Sequence, residues 1–174
     1  MVSKSEPFNF NAMINRKNIF LFLLIFVIVG EIEAQPRYGQ DAYEIALPSA
    51  SGDTIKLSSL KGKVVLLDFW ASWCPPCRAS NKKLAKFYPK YRDKGFEILS
   101  VSIDDNVRDW KRAILKDKVS WLQVIDRGGW DAPTAVKWNI NAVPTSYLVD
   151  KEGKLIAMDL ETKELEKALQ ELLK

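Results

Sequence analysis

Two cysteines stand three positions apart, Cys74 and Cys77, in the segment LLDFWASWCPPCR, and a chain of 174 residues contains no others. Placed on the first turn of a helix, that spacing brings the sulfurs within bonding reach, with the first exposed and the second covered. A helix N-terminus carries partial positive charge and unpaired N–H groups, and both stabilise a thiolate. A cysteine pKa near ~8.5 falls to ~3.5–7.5 in such a setting. The chemistry implied is thiol–disulfide exchange, in which Cys74 attacks a disulfide and Cys77 resolves the mixed disulfide. Pro75 and Pro76 suit the helix start, because the N–H groups they lack would have had no intrahelical partner. The plain alternative, an inert disulfide, gains little stability from closing so short a loop.

Residue counts narrow the rest. The chain has no histidine, which excludes Ser-His-Asp and Cys-His catalytic sets and any His-ligated metal. Two sulfurs cannot make a four-thiolate zinc site, and no cofactor is called for. The net charge of +4 comes from 26 basic and 22 acidic residues dispersed along the chain. No basic tract interleaves with aromatics, so no nucleic-acid partner is expected.

Asp68 lies six residues before Cys74 in the apolar run Val64–Phe69 (VVLLDF), which reads as a strand buried on both faces. Burial raises a carboxyl pKa, so Asp68 is expected to be largely protonated near neutral pH and to exchange a proton with Cys77 through water. The competing role is a structural acid satisfied by backbone or lysine. Of the nearby tryptophans, Trp73 is the better surface candidate beside the reactive sulfur, with Trp70 its alternative. Arg78, Lys82, Lys86 and Lys90 recur every four residues and read as a solvated helix face.

The elements that must position these groups follow from periodicity. Tyr43–Leu47 and Thr54–Leu57 predict a hairpin around Ser49–Asp53. Strands are predicted at Val64–Phe69, Phe96–Ile103 and Trp121–Ile125, and a second hairpin from Ser146–Val149 and Lys154–Met158. Pro75 opens a helix that Pro89 should kink or end. Further helices are predicted at Val107–Leu115, behind the cap-like Asp104-Asp105-Asn106 cluster, at Ala132–Trp138 and at Thr162–Leu173. The alternation describes an α/β fold, a mixed central sheet flanked by helices.

Residues Ile19 to Val29 are continuously apolar, behind Arg16 and Lys17. Eleven residues fall short of the ~17–25 that a membrane-spanning helix needs. Residues 1–34 therefore read as a secretory signal peptide cut after Ala34, with an uncleaved membrane anchor as the alternative. That leaves residues 35–174 as one domain outside the cytoplasm, touching a membrane only through an uncut N-terminal segment.

The segment DFWASWCPPC resembles the active-site signature of the thioredoxin family. Lys61–Val65 (KGKVV) and the preceding hairpin resemble its extracytoplasmic TlpA/ResA-type branch, while Ala142-Val143-Pro144-Thr145 and YLVDKEGKLI resemble the family's cis-proline loop and terminal hairpin. The resemblance covers residues 38–174. It implies a thioredoxin fold with an N-terminal β-hairpin extension, and a disulfide reductase or exchanger of the bacterial envelope. That enzyme would act on protein disulfides or dithiols, be re-reduced by a membrane electron carrier, and serve in cytochrome c maturation. It also implies a cis Val143–Pro144 bond beside the sulfurs, which makes Trp73, Pro76, Val143 and Pro144 the substrate-binding candidates. Where many members of the branch have Glu and Pro, this chain has Ser80 and Lys82. Where thioredoxin has a lysine near the buried acid, it has Ser100. The competing functions are a thiol peroxidase of the same fold and a non-catalytic binding or metal-chaperone module resting on the cysteine pair.

Overall fold

The computed structural model describes residues 36–174, and the export segment expected at residues 1–34 lies outside them. The described chain opens with a hairpin of β1 (Ala46–Pro48) and β2 (Thr54–Lys56), Ala46 opposite Lys56. The first strand begins three residues later than its apolar pattern predicts. Residues before it bond elsewhere: the Glu44 carboxylate accepts the Ile45 and Ser58 N–H groups, and the Ile45 carbonyl accepts from Leu57. Buried Ile45 is thus anchored in the core outside the ladder.

A five-stranded sheet follows, from β3 (Val64–Trp70), β4 (Phe96–Ser102), β5 (Leu122–Ile125), β6 (Thr145–Val149) and β7 (Leu155–Met158), in the order β5-β4-β3-β6-β7. The first three run parallel, β6 runs antiparallel to β3, and β7 antiparallel to β6. Every residue of β3 and β4 is buried, as a strand covered on both faces requires. Four helices pack around the sheet: α1 (Pro75–Phe87), α2 (Val107–Asp117), α3 (Pro133–Lys137) and α4 (Thr162–Leu172). Val64 and Leu66 share an apolar cluster with Leu84 and Phe87 of α1 and Leu165 and Leu169 of α4. Val65, Leu67 and Phe69 point the other way, into a cluster with Ala135 of α3, Trp138, and Ile45 and Leu57 beside the hairpin. The expected mixed sheet flanked by helices is the observed one.

The helix ends have local causes. Pro89 ends α1 at Phe87, and the chain continues as a 3₁₀ turn over Tyr88–Lys90. Asn106 caps α2, its side-chain oxygen accepting the Arg108 N–H at 3.0 Å. That helix runs to Asp117 and stops where Lys118 turns left-handed at φ 57°. The third helix is shorter than predicted, because Gly129–Asp131 form a separate 3₁₀ turn and Pro133 starts the helix. At α4, Glu161 and Glu164 exchange side-chain bonds with each other's backbone in a capping box.

The sheet's two layers can be tested separately from the site. Leu169→Ala empties a fully buried position on α4 and should cost about 2–4 kcal/mol. Urea denaturation should show a lowered midpoint with an unchanged slope.

Candidate active site

Strand β3 ends at Trp70 and α1 begins at Pro75, so Ala71–Cys74 form the bend at the carboxyl edge of the parallel strands. Two backbone bonds fix the turn: Cys74 N–H to the Ala71 carbonyl at 3.2 Å, and Arg78 N–H to the Cys74 carbonyl at 3.1 Å. Cys74 is the N-cap of α1, and its Sγ accepts the Cys77 N–H at 3.1 Å. The two cysteines are joined as a disulfide with Cα atoms 5.3 Å apart. No acidic residue sits in the first turn of α1, so the helix brings no carboxylate of its own to its positive end. Once the disulfide opens, that N–H is already in place to hold a Cys74 thiolate.

The expectation that Cys74 is exposed needs correcting. Cys74 is 4% exposed and Cys77 1%. In the oxidised state the bond draws Cys74 against the helix, and the Val143 carbonyl oxygen lies 3.5 Å from its sulfur on the other side. The Val143–Pro144 peptide is cis, as the resemblance implies. Pro76 and Pro144 line one groove of about 580 Å³, together with Asp68, Lys83 and Asp159. Trp73 is 53% exposed, and Trp70 is fully buried with its indole N–H on the Gln123 side-chain oxygen at 3.2 Å.

Asp104 secures the bend from below. This buried carboxylate accepts the Ser72 N–H at 2.8 Å, the Ser72 hydroxyl at 2.6 Å and the Ser102 hydroxyl at 2.7 Å. From the helix side, Arg78 donates from Nη1 to the Ser72 carbonyl at 3.2 Å while its Nε and Nη2 grip the two carboxylate oxygens of buried Asp117 of α2. Arg78 therefore leaves the solvated stripe expected of it: its side chain is 22% exposed, because it ties the bend to α2. Lys82 and Lys86 do face solvent, and Lys90 pairs with Glu166. The sequence pattern assigned Asp104 to a cap cluster, whereas Asn106 alone does the capping; Asp117 and Trp130, described below, carried no motif.

Asp68 lies directly opposite Ser100 across β3 and β4. The Ser100 hydroxyl donates to its carboxylate at 2.9 Å and itself accepts the Trp121 indole N–H at 2.8 Å. Burial lifts the Asp68 pKa from 3.8 to about 6; the Ser100 bond pulls it down, and the charge of Asp159 adds to the rise. A value of about 6 leaves the group mainly ionised at pH 7, which corrects the expectation of a largely protonated acid. The Ser100 hydroxyl is the reason, since it stabilises the charged form.

A folded-state pKa above the unfolded value means that the folded chain holds the proton more tightly. Stability from this group is therefore full below about pH 4 and is lost as pH rises through about 6. The difference amounts to about 3 kcal/mol at 1.36 kcal/mol per pKa unit. Asp68→Asn should thus be more stable than the parent at pH 7 by up to that amount, with the gap closing near pH 4. Parallel denaturation curves of the two proteins from pH 4 to 8 check the sign.

Residues 38–158 match the AhpC/TSA family. The chain is 30% identical over 172 residues to the thiol-disulfide oxidoreductase ResA of Bacillus cereus, covering 91% of this chain and 97% of that one. The thioredoxin domain of a thiol-disulfide oxidoreductase from Bacteroides vulgatus superposes with a TM-score of 0.72 at 35% identity, over 79% of this chain and 99% of that one. A thiol-disulfide oxidoreductase from Bacteroides fragilis gives 0.71 at 34% identity, over 76% and 99%. With a cysteine pair at the head of α1 and this likeness over most of its length, the chain belongs to the AhpC/TSA thioredoxin-like family and is a thiol–disulfide oxidoreductase.

Proposed function

We propose that this oxidoreductase works outside the cytoplasm, reducing or exchanging disulfides of envelope proteins through Cys74 and Cys77. The observation that carries the reading is the setting of Cys74. A helix N–H supports its sulfur at 3.1 Å, and the Val143 main chain stands 3.5 Å away, where an extended substrate can pair with it. Export rests on the apolar stretch Ile19 to Val29 behind Arg16 and Lys17. Re-reduction by a membrane electron carrier and service in cytochrome c maturation extend the likeness to ResA-type relatives.

The chemistry divides into two exchanges. The Cys74 thiolate attacks one sulfur of a substrate disulfide, forming a mixed disulfide and expelling the other sulfur as a thiolate that takes a proton. Cys77 then gives up its proton and attacks the Cys74 sulfur, which closes the internal disulfide and releases the second substrate thiolate. Two electrons pass from the enzyme dithiol to the substrate, and a carrier of thiol class returns them. Asp68, mainly ionised but with a raised pKa, is the base that receives the Cys77 proton through water, and it lines the same groove as Pro76 and Pro144. Trp73, Pro76, Val143 and Pro144 face the incoming chain.

Cys74→Ser should abolish insulin-disulfide reduction, while Cys77→Ser should still attack and should accumulate mixed disulfides. Alkylating the reduced protein at mildly acidic pH should label Cys74 first, and preferential labelling of Cys77 would reverse the roles. Peroxide consumption without another thiol protein would favour the peroxidase alternative. For Asp68→Asn, single-turnover resolution of the mixed disulfide should slow at least about tenfold, up to the ~10²–10⁴ that proton-transfer catalysis contributes. An unchanged pH profile between 6 and 9 would make Asp68 structural.

A further inference from the structure

Tryptophan has a large apolar surface, and four of the six in this chain are buried. The remaining two, Trp73 and Trp130, are 53% and 45% exposed, and they meet. Their ring centroids are 5.9 Å apart at an interplanar angle of 66°, an edge-to-face pair at the residue next to Cys74. Leu115, Val136, Met158 and Tyr38 are also exposed, but none of them forms a ring pair with another exposed aromatic among the described residues.

The loop that carries Trp130 is built to hold it there. Asp105, in the loop after β4, accepts the Gly128 N–H on its carboxylate at 2.9 Å and the Arg127 side chain on its carbonyl at 3.2 Å. Gly128 has φ +123°, and a Cβ there would stand 3.3 Å from the Ala132 backbone, so the turn closes tightly only on glycine. Asp131 N–H and Ala132 N–H bond back to the carbonyls of Gly128 and Gly129, and Ala132 is fully buried. A pinned turn with a buried foot and an exposed indole is a presented side chain. Polar residues, Asp105, Asn106, Arg112 and Lys116, line a groove along Trp73. An aromatic centre with a polar margin is the anatomy of a protein-binding hot spot.

Resting on the reading that the substrates are proteins, we propose that Trp130 is a specificity-determining residue. With Trp73 it grips a bulky apolar or aromatic side chain that flanks the substrate cysteine. An extended chain advances ~3.3 Å per residue, so the gripped side chain lies about one to three residues from that cysteine. The preferred partner is an extended segment with aromatic residues beside its cysteine, as in a chain not yet folded.

The test uses the reduced full chain and two peptide disulfides that differ only in Trp or Ser two residues from the cysteine. Rates are normalised to those with bis(2-hydroxyethyl) disulfide, which has nothing to grip. The parent should prefer the Trp peptide about tenfold in kcat/KM, expressed in KM. Trp130→Ala should shrink the preference below about twofold, and Trp130→Phe should keep most of it. A preference that survives Trp130→Ala, or a parent with none, overturns the proposal. Equal activity of the parent on all three disulfides would do so while leaving the oxidoreductase reading intact, whereas no activity on any would sink that reading itself.

Discussion

One N–H group, that of Cys77, organises the chemistry of this protein. It points at the sulfur of Cys74, and it can do so only because Cys74 occupies the cap of α1 and Pro75 and Pro76 leave the first turn without competing donors. For that cap to exist, a fully buried strand must end one short bend earlier, and the bend must not move. Asp104 holds it from beneath and Arg78 from the side. The sheet supplies the platform, the hydrogen bonds of two side chains supply the rigidity, and the helix supplies the field that lowers the energy of a thiolate.

Two buried acids near the site are held differently. Asp104 receives three hydrogen bonds and acts as a fixed anchor. Asp68 receives one, from Ser100, whose own acceptor site is taken by Trp121. Undersupplied with donors for its burial, it has a pKa raised to about 6. A lysine in place of Ser100 would bring a full positive charge to the carboxylate and lower that value.

Much of this was legible in the residues. The unbroken apolar runs at Val64 and Phe96 specify strands buried on both faces, Pro89 marks the end of α1, and the spacing of Cys74 and Cys77 specifies the redox pair. What was not legible depends on contacts between distant segments. The Arg78–Asp117 pair spans α1 and α2, and its arginine fits a solvated stripe equally well by periodicity. Trp130 sits in a Gly-Gly turn whose shape is set by Asp105, more than twenty residues earlier. The start of β1 escaped for the same reason, since Glu44 redirects it by bonding to Ser58. Local pattern encodes which faces are apolar; it does not encode which polar partners will find each other.

The disulfide joins residues only three apart, and the chain has no third cysteine with which to make another. A loop that short restrains the unfolded chain less than a long-range bridge does, so opening it gives back only part of the entropy that longer bridges withhold. The domain is therefore held by its two apolar layers whatever the state of its sulfurs. Its cysteine pair is a reservoir for two electrons, and what separates the filled state from the empty one is the thiolate held at the helix end, not the packing of the two layers.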